Sequence, residues 1–593
     1  MSKIAAAAAL ASVAFAAQAV TLQNGTYEEK INGHNAAFTV KVTINNNKIE
    51  KIEYPDNLET IGVGRLALDK VSDKIIKNQS LGVDSVTGAS ISSFALKTAV
   101  GKALEKAGAT KADIKNLMKK VEKHPALPSE VKTQVVIVGG GGTGLAAAIA
   151  AQQAGAKVIV LEKLGFLGGS TNVSEGAFNA ADPDRQGKQG IEDSIQKHYE
   201  QTMKGGHDIG TPELVHYLTD HALETLHWME SVGVKFKDEV GTATGALWQR
   251  SHYPATPSGN AYIRIYEKYI GEHAKDMTVY TDMNVESLIK DKAGRVIGVI
   301  AKNNLNGKTT KFMASKGVVL ATGGFGANIE LRQKVNTGVF KDYDLGKAIG
   351  CTNMNKSAQG SGIVMGEKAG ANVIGMSDIQ VHPCGTPGTG LMEMVRTSGR
   401  NRVFINKDGN RFVNEGAPRD VLAKAIFAQP GSTYYVLVNH LRYPSLDWVD
   451  GNGAKMKDMI DLGRVVAGDT LEDLAKKLNM PVENLKKSID DYNAVVAGTA
   501  KDKLGFLANN KADKQMTEGP WYACKKVPTV HHTMGGLQIN TKAQVLDKNG
   551  KVIPGLYAAG ETTGGIHGSN RLGGNAIADI MTFGRTAGTN VAK

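Results

Sequence analysis

Along residues 37–52 apolar and polar side chains alternate one by one. Ala37-Phe38-Thr39-Val40-Lys41-Val42-Thr43-Ile44 and Lys48-Ile49-Glu50-Lys51-Ile52 have the period of two that predicts short strands with one buried face. A helical period follows over 92–106, so residues 20–109 read as a small α+β domain. A lysine-rich helical stretch and His124-Pro125-Ala126-Leu127-Pro128 come next, and residues 110–133 read as a linker. At residue 134 the pattern changes. Gln134-Val135-Val136-Ile137-Val138 is a continuous apolar run of the kind buried on both faces, residues 145–153 are helical, and Lys157-Val158-Ile159-Val160-Leu161 is a second buried strand. No segment of 20–50 residues repeats, which sets aside solenoids and propellers.

Composition sharpens this picture in three places. The 593 residues are about four times a ~150-residue domain, so two to four domains are expected. The 69 glycines stand well above the usual ~7% while proline stays low, so glycine is meeting a backbone requirement. The three cysteines, Cys351, Cys384 and Cys524, are too few and too scattered for a disulfide framework, a cysteine-rich zinc site or covalent haem, and no metal site is expected. The formal charge of +12 comes from lysines spread along the chain. The densest run, Lys111 to Lys123, has the spacing of a solvated helix face without interleaved aromatics, so nucleic acid is not an expected partner.

Residues 1–19 join Lys3, an apolar run from Ile4 to Ala17 and Ala17-Gln18-Ala19, the pattern of a cleavable secretory signal that would leave Val20 first. An alanine-rich first helix is the alternative. No other stretch reaches the ~18 apolar residues of a membrane-spanning helix, so no transmembrane segment is expected. The expected location is the periplasm.

Gly139, Gly141 and Gly144 follow the first buried strand in GxGxxG spacing, and Glu162 ends the second, where a carboxylate accepts ribose hydroxyls. Glycines there let the backbone turn and approach a pyrophosphate held on a helix N-terminus. Both FAD and NAD use this fingerprint. Three further segments, Gly168-Gly169-Ser170-Thr171, Val318 to Gly326 with Ala321-Thr322-Gly323, and Gly555 to Glu561, return to one cofactor from far along the chain. That arrangement resembles the two-part FAD domain of the succinate dehydrogenase/fumarate reductase flavoprotein superfamily.

The resemblance tightens at Val530-His531-His532-Thr533-Met534-Gly535-Gly536 and Gly568-Ser569-Asn570-Arg571-Leu572-Gly573-Gly574-Asn575-Ala576, which are similar to the flavocytochrome c-type fumarate and urocanate reductases over residues 134–593. It implies an α/β protein: a Rossmann-like FAD-binding domain in two parts, 134–377 and 534–593, split by an α+β capping domain at 378–533. Non-covalent FAD would touch Gly142, Gly176, Val285, Gly362, His531, Glu561, Asn575, Ala576 and Ile577 besides the residues above. His532 and Arg571 would hold the substrate carboxylate. Arg419 would donate the proton, re-protonated by Glu393 and Arg396, while FAD N5 gives the hydride. The residue types alone read differently, since a guanidinium is normally always protonated and Arg419 would be an anion clamp; the resemblance overrides that.

In fumarate reductases a His and a Thr bind the second carboxylate. His382 matches the first, but Met392 stands at the Thr position, and a thioether donates no hydrogen bond. A monocarboxylate with a larger second substituent, such as urocanate or an aryl or alkyl acrylate, fits better than fumarate, unless Thr386 or Thr389 replaces the lost hydroxyl.

Asp84-Ser85-Val86-Thr87-Gly88-Ala89-Ser90 resembles the covalent flavinylation motif of FMN-binding domains. It implies FMN joined to Ser90 as a phosphoester by a flavin transferase, with electrons arriving from a quinol-linked cytochrome or another periplasmic donor. The expected function is an anaerobic-respiratory reductase of the C=C bond of an α,β-unsaturated carboxylate. The alternatives are a fumarate reductase proper, an oxidase of the same superfamily and a flavin electron carrier.

Overall fold

Phe38, Val40, Val42 and Ile44 are all buried on the central strand of an antiparallel meander, Gly25–Asn32, Ala37–Asn45 and Lys48–Glu53, as their alternation requires. A computed structural model of the chain describes residues 20–392, 395–449, 455–508 and 513–593. The expected secretion signal at 1–19 and Glu393 lie outside the described residues. The chain forms two units. One comprises residues up to 57 with 67–85 and 90–123; the other comprises 58–66, 86–89 and 124–593.

In the smaller unit the helix Ser90–Lys106 packs its Leu96, Val100 and Leu104 against the meander. A further helix, Lys111–Leu117, starts at a capping box in which Thr110 and Asp113 satisfy each other's backbone N–H groups. Its Leu117 carbonyl accepts from the Leu81 N–H at 3.0 Å and the Ser80 hydroxyl at 2.7 Å. The stretch 110–133, read above as a linker, is thus divided: 110–123 belong to the small unit, and residues from 130 onward are a strand of the large one.

The large unit is built on an eight-stranded sheet. Its parallel centre aligns Val136 with Val318 on one side and Ile159 on the other, and Val135–Val138 are buried, the consequence of helices covering both faces. The twelve-residue strand Thr309–Leu320 changes partner along its length: Gly298–Lys302 pair antiparallel with its first half, Leu556–Ala558 parallel with its end. The helices Gly142–Gln153 and Asn575–Val591 lie so close that a Cβ at Gly588 would sit 2.0 Å from the Ala147 carbonyl oxygen.

A second sheet of five strands orders Ile379–Gly385, Trp521–Thr533, Tyr434–Asn439 and Val403–Ile405, with Val465–Gly468 also on Trp521–Thr533. The chain enters this layer after Asp378 and leaves it at Met534, and the Met534 N–H bonds the Asp378 carbonyl at 2.9 Å. Trp521–Thr533 therefore runs from the centre of the added sheet to His531 and His532 at its edge with the large sheet. The helix Arg419–Phe427 packs on Ile379–Gly385. Among the described residues no helix is long and apolar enough to cross a membrane.

Candidate active site

The turn after Glu130–Val138 shows why each fingerprint glycine is needed. Gly139 has φ +106°, and a Cβ there would lie 2.2 Å from the Ala321 carbonyl oxygen; one on Gly144 would lie 1.8 Å from the Gly139 carbonyl oxygen. Those two are demanded by the chain's own packing. Gly141 is different: its φ is ordinary, a Cβ would meet only the Gly168 carbonyl at 3.8 Å, and it caps the helix Gly142–Gln153 without a side chain to accept from the first-turn N–H groups. Thr171 Oγ1 takes the Gly142 N–H at 3.2 Å, and open space in front of a helix start is what a pyrophosphate requires. Glu162 is buried, accepts from Gly140 N–H at 2.6 Å and Leu164 N–H at 2.7 Å, and burial pushes its pKa up. Each oxygen keeps a lone pair for a ribose hydroxyl.

One continuous cleft runs from this cradle to the added sheet. Gly139, Gly141, Gly142, Glu162, Gly169, Ser170, Thr171 and Gly176 line its first half. Val285, Ala321, Thr322 and Gly323 line its floor; His531, Glu561, Ala576 and Ile577 lie further along. An FAD fits this donor set and shape. Three expected contacts stand behind the wall. Gly144 closes the turn, the Gly362 N–H bonds Thr322 Oγ1 at 3.0 Å, and Asn575 is bound to Asn179 at 2.8 Å and Thr202 at 3.0 Å, pinning the start of the last helix.

At the far end Arg419, Met392, His532 and Arg571 share the cleft wall. Arg419 opens its helix; its Nε donates to the Thr244 carbonyl and its Nη1 to Gln380 Oε1, both at 2.8 Å. The same Gln380 donates through Nε2 to the Arg571 carbonyl at 2.6 Å. Arg571 Nη1 reaches the Leu572 carbonyl at 3.0 Å, and its Nε is buried with no hydrogen-bond partner among the described residues. A buried guanidinium with an unspent N–H is a receptor for a carboxylate. His382 lies outside the cleft wall; its Nδ1 accepts from Cys384 N–H at 3.1 Å, which leaves the proton of the neutral ring on Nε2, and its ring sits 4.6 Å from that of His531. His531 Nδ1 is 2.7 Å from the Thr352 hydroxyl.

Burial sets the charges here. It pushes the His382, His531 and His532 imidazoles well below their usual 6.5, reinforced by neighbouring arginines, so all three are neutral at pH 7. Burial lowers Arg571 to about 10 and holds Arg419 well below its usual value, with Arg571 the second cause for Arg419. The charge of Arg571 adds to burial in weakening the hold of Arg419 on a proton. Burial also raises Glu561 to about 7, although Thr533 N–H and Oγ1 donate to it at 2.9 and 3.2 Å.

Arg396 is half-buried, and its charge helps to depress His382 and His531. Glu393, the other expected relay residue, is outside the described residues. Ser90 is exposed as the first residue of its helix; the preceding loop is held by Lys97 Nζ, which donates to the Val83 carbonyl at 3.1 Å and Ser85 Oγ at 2.9 Å. An exposed hydroxyl beside the small residues Gly88 and Ala89 fits attachment of a flavin phosphate.

Two groups at the site, one behind the wall and one in it, escaped sequence reasoning. Gln380 lies two residues before His382 on one strand, a spacing that was the only clue to it. Glu175 lines the cleft, accepts from the Ser398 hydroxyl, and its charge is felt by Arg419 and Tyr253. A lone acid after a glycine motif gave no signal.

An FMN-binding domain family matches residues 33–105, and an FAD binding domain family matches residues 134–577. A urocanate reductase of Eggerthella lenta is 37% identical over 565 residues, covering 95% of this chain and 91% of that protein. The chain belongs to the flavocytochrome c-type fumarate/urocanate reductase family. Its cofactors are FAD and FMN, and it is a flavin-dependent oxidoreductase. An NADH:acrylate oxidoreductase of Vibrio harveyi is 34% identical across 97% of this chain, which spans 62% of that relative's length. Among solved structures of the family, the open conformation of a flavocytochrome c3 fumarate reductase superposes with a TM-score of 0.61 at 35% identity, over 82% of this chain and 84% of that one.

Proposed function

We propose that this family member is an exported reductase of the C=C bond of an α,β-unsaturated monocarboxylate whose second substituent is neutral or a hydrogen-bond donor, as in urocanate or an aryl or alkyl acrylate. The observation behind the substrate choice is Glu175. A carboxylate in the cleft wall, accepting from Ser398 near Arg419, repels a second substrate carboxylate and accepts from an N–H or O–H. Met392 in the same wall offers that second carboxylate no donor.

Bound in the cleft, FAD supplies the hydride. Arg571, through its unpaired Nε, and neutral His532 hold the substrate carboxylate and stabilise the charge that develops on it as the double bond is reduced. Arg419, fixed by Thr244 and Gln380, delivers the proton to the neighbouring carbon, and its lowered proton affinity favours the transfer. In this reading Arg396 and Glu393 restore that proton. Ser90 holds FMN after a flavin transferase acts on it, and a quinol-linked cytochrome or similar donor in the periplasm supplies electrons for respiration. The leader at 1–19 directs the export.

Fumarate is the second reading, favoured by one observation: Thr386 Oγ1 is buried without a hydrogen-bond partner among the described residues. Dye-coupled turnover of urocanate, cinnamate, methacrylate and fumarate, measured side by side, separates the two. A kcat/KM for at least one monocarboxylate ~10-fold above fumarate is expected. Fumarate as the best substrate would overturn the monocarboxylate reading, and retained turnover in Arg419→Ala would remove its proton-donor role.

A further inference from the structure

His207 lies outside every motif above. It follows the helix Ile195–Gly205 in a turn where both His207 and Asp208 have φ +60°, a left-handed pair that side-chain-bearing residues adopt at a cost. The turn is locked in place. A Cβ on Gly568 would lie 2.1 Å from the Gly206 carbonyl oxygen, and Ser569 N–H bonds that same oxygen at 3.1 Å.

Both nitrogens of the His207 ring are engaged. Nδ1 is 2.6 Å from Ser569 Oγ, two residues before Arg571, and Nε2 is 3.3 Å from Asp420 Oδ2, the residue after Arg419. The Asp420 approach is an ion-pair separation that attracts when the ring is charged, and the serine hydroxyl donates to Nδ1 of a neutral ring or accepts from a charged one. The Ser569 contact therefore survives either protonation state. Asp420 is buried and its Oδ1 has no hydrogen-bond partner among the described residues, where this imidazole is its one side-chain ion-pair partner. The ring also faces Asp378, where the chain enters the added sheet: burial raises that carboxyl to about 6, against the opposing effect of charge on His207. Lys204 and Asp208 are the charged residues nearest in sequence on its own segment.

We propose that His207 is a positioning residue that latches the cap to the FAD-binding part and sets the separation of Arg419 from Arg571. It ties the segment of each arginine to one ring on the FAD-binding side, while Gln380 ties them from the cap side. Small displacements between reacting groups are costly, up to ~100-fold for ~1 Å, so a latch at this point acts on turnover rather than on affinity. The inference rests on the reductase reading for its kinetic part only.

Its test uses the FAD-loaded full chain and His207→Ala. Hydrogen–deuterium exchange is expected to rise at residues 419–427 and 568–571 with FAD content unchanged, and kcat is expected to fall ~10-fold or more with KM within ~2-fold. His207→Gln, whose amide donates to Asp420 and accepts from Ser569, is expected to restore both. Unchanged exchange at those segments in His207→Ala, or a His207→Gln protein that behaves like it, would overturn the latch. The exchange readout needs no substrate, so it fails or holds independently of the proposed reaction.

Discussion

Arg419 donates from Nη1 to Gln380 Oε1 at 2.8 Å, and the other half of the same amide donates to the Arg571 carbonyl at 2.6 Å. One neutral side chain thus joins the Arg419 guanidinium to the main chain of Arg571 without neutralising either arginine. Replacing Gln380 with Leu leaves Arg419 Nη1 and the Arg571 carbonyl without this partner in a buried setting, and kcat is expected to drop ~10-fold or more with FAD content unchanged. Gln380→Glu is expected to be slower still, because a carboxylate beside Arg419 raises its hold on the proton. Steady-state kinetics on purified variants with measured FAD occupancy checks both.

Removing the charge of Glu175 changes substrate preference. Glu175→Gln keeps an acceptor for Ser398 and removes the repulsion of a second carboxylate, so the kcat/KM ratio of fumarate to urocanate is expected to rise ~10-fold. A ratio unmoved by this change would mean that Glu175 does not face the second substituent.

The glycines of the first turn separate stability from cofactor binding. Gly144→Ala sets a methyl 1.8 Å from a backbone oxygen and is expected to lower the melting temperature of the FAD-free protein. Gly141→Ala meets nothing closer than 3.8 Å in the chain itself, so the fold is expected to survive while FAD is lost. Thermal melts and flavin absorbance of the two variants, compared with wild type, distinguish these outcomes.

Ser90→Ala is expected to abolish protein-linked FMN, seen as loss of in-gel flavin fluorescence after denaturation. Turnover with a small artificial reductant is expected to persist, since the cleft residues are untouched. Covalent FMN surviving this change would place the attachment at another residue.

Burial raises the Glu561 carboxyl from 4.5 to about 7 in the folded chain. Its contribution to stability is therefore fully present below the unfolded value, near pH 4.5, and is lost as pH rises through about 7. In the FAD-free protein, Glu561→Gln is expected to melt increasingly above wild type as pH goes from 5 to 8. A melting difference independent of pH in that window would contradict the raised carboxyl.

The strand–glycine–helix cradle and Glu162 at the end of the next strand were legible in the sequence because each is built from residues close along the chain. Their requirements are local: a turn only glycine adopts at Gly139 and a buried apolar run. The division of 110–133 was less legible, since a short capped helix among lysines looks like a solvated connection until Leu117 is seen bonded to Leu81 and Ser80.

What the tertiary structure alone decided is which lone polar side chains meet the arginines. Glu175, His207 and Gln380 belong to no motif, and sequence separations of up to 362 residues vanish where the added sheet folds back onto the large one. Proton affinities at the site were equally beyond the sequence. An arginine is a poor acid in water, and the burial of Arg419 beside Arg571 lowers its hold on a proton.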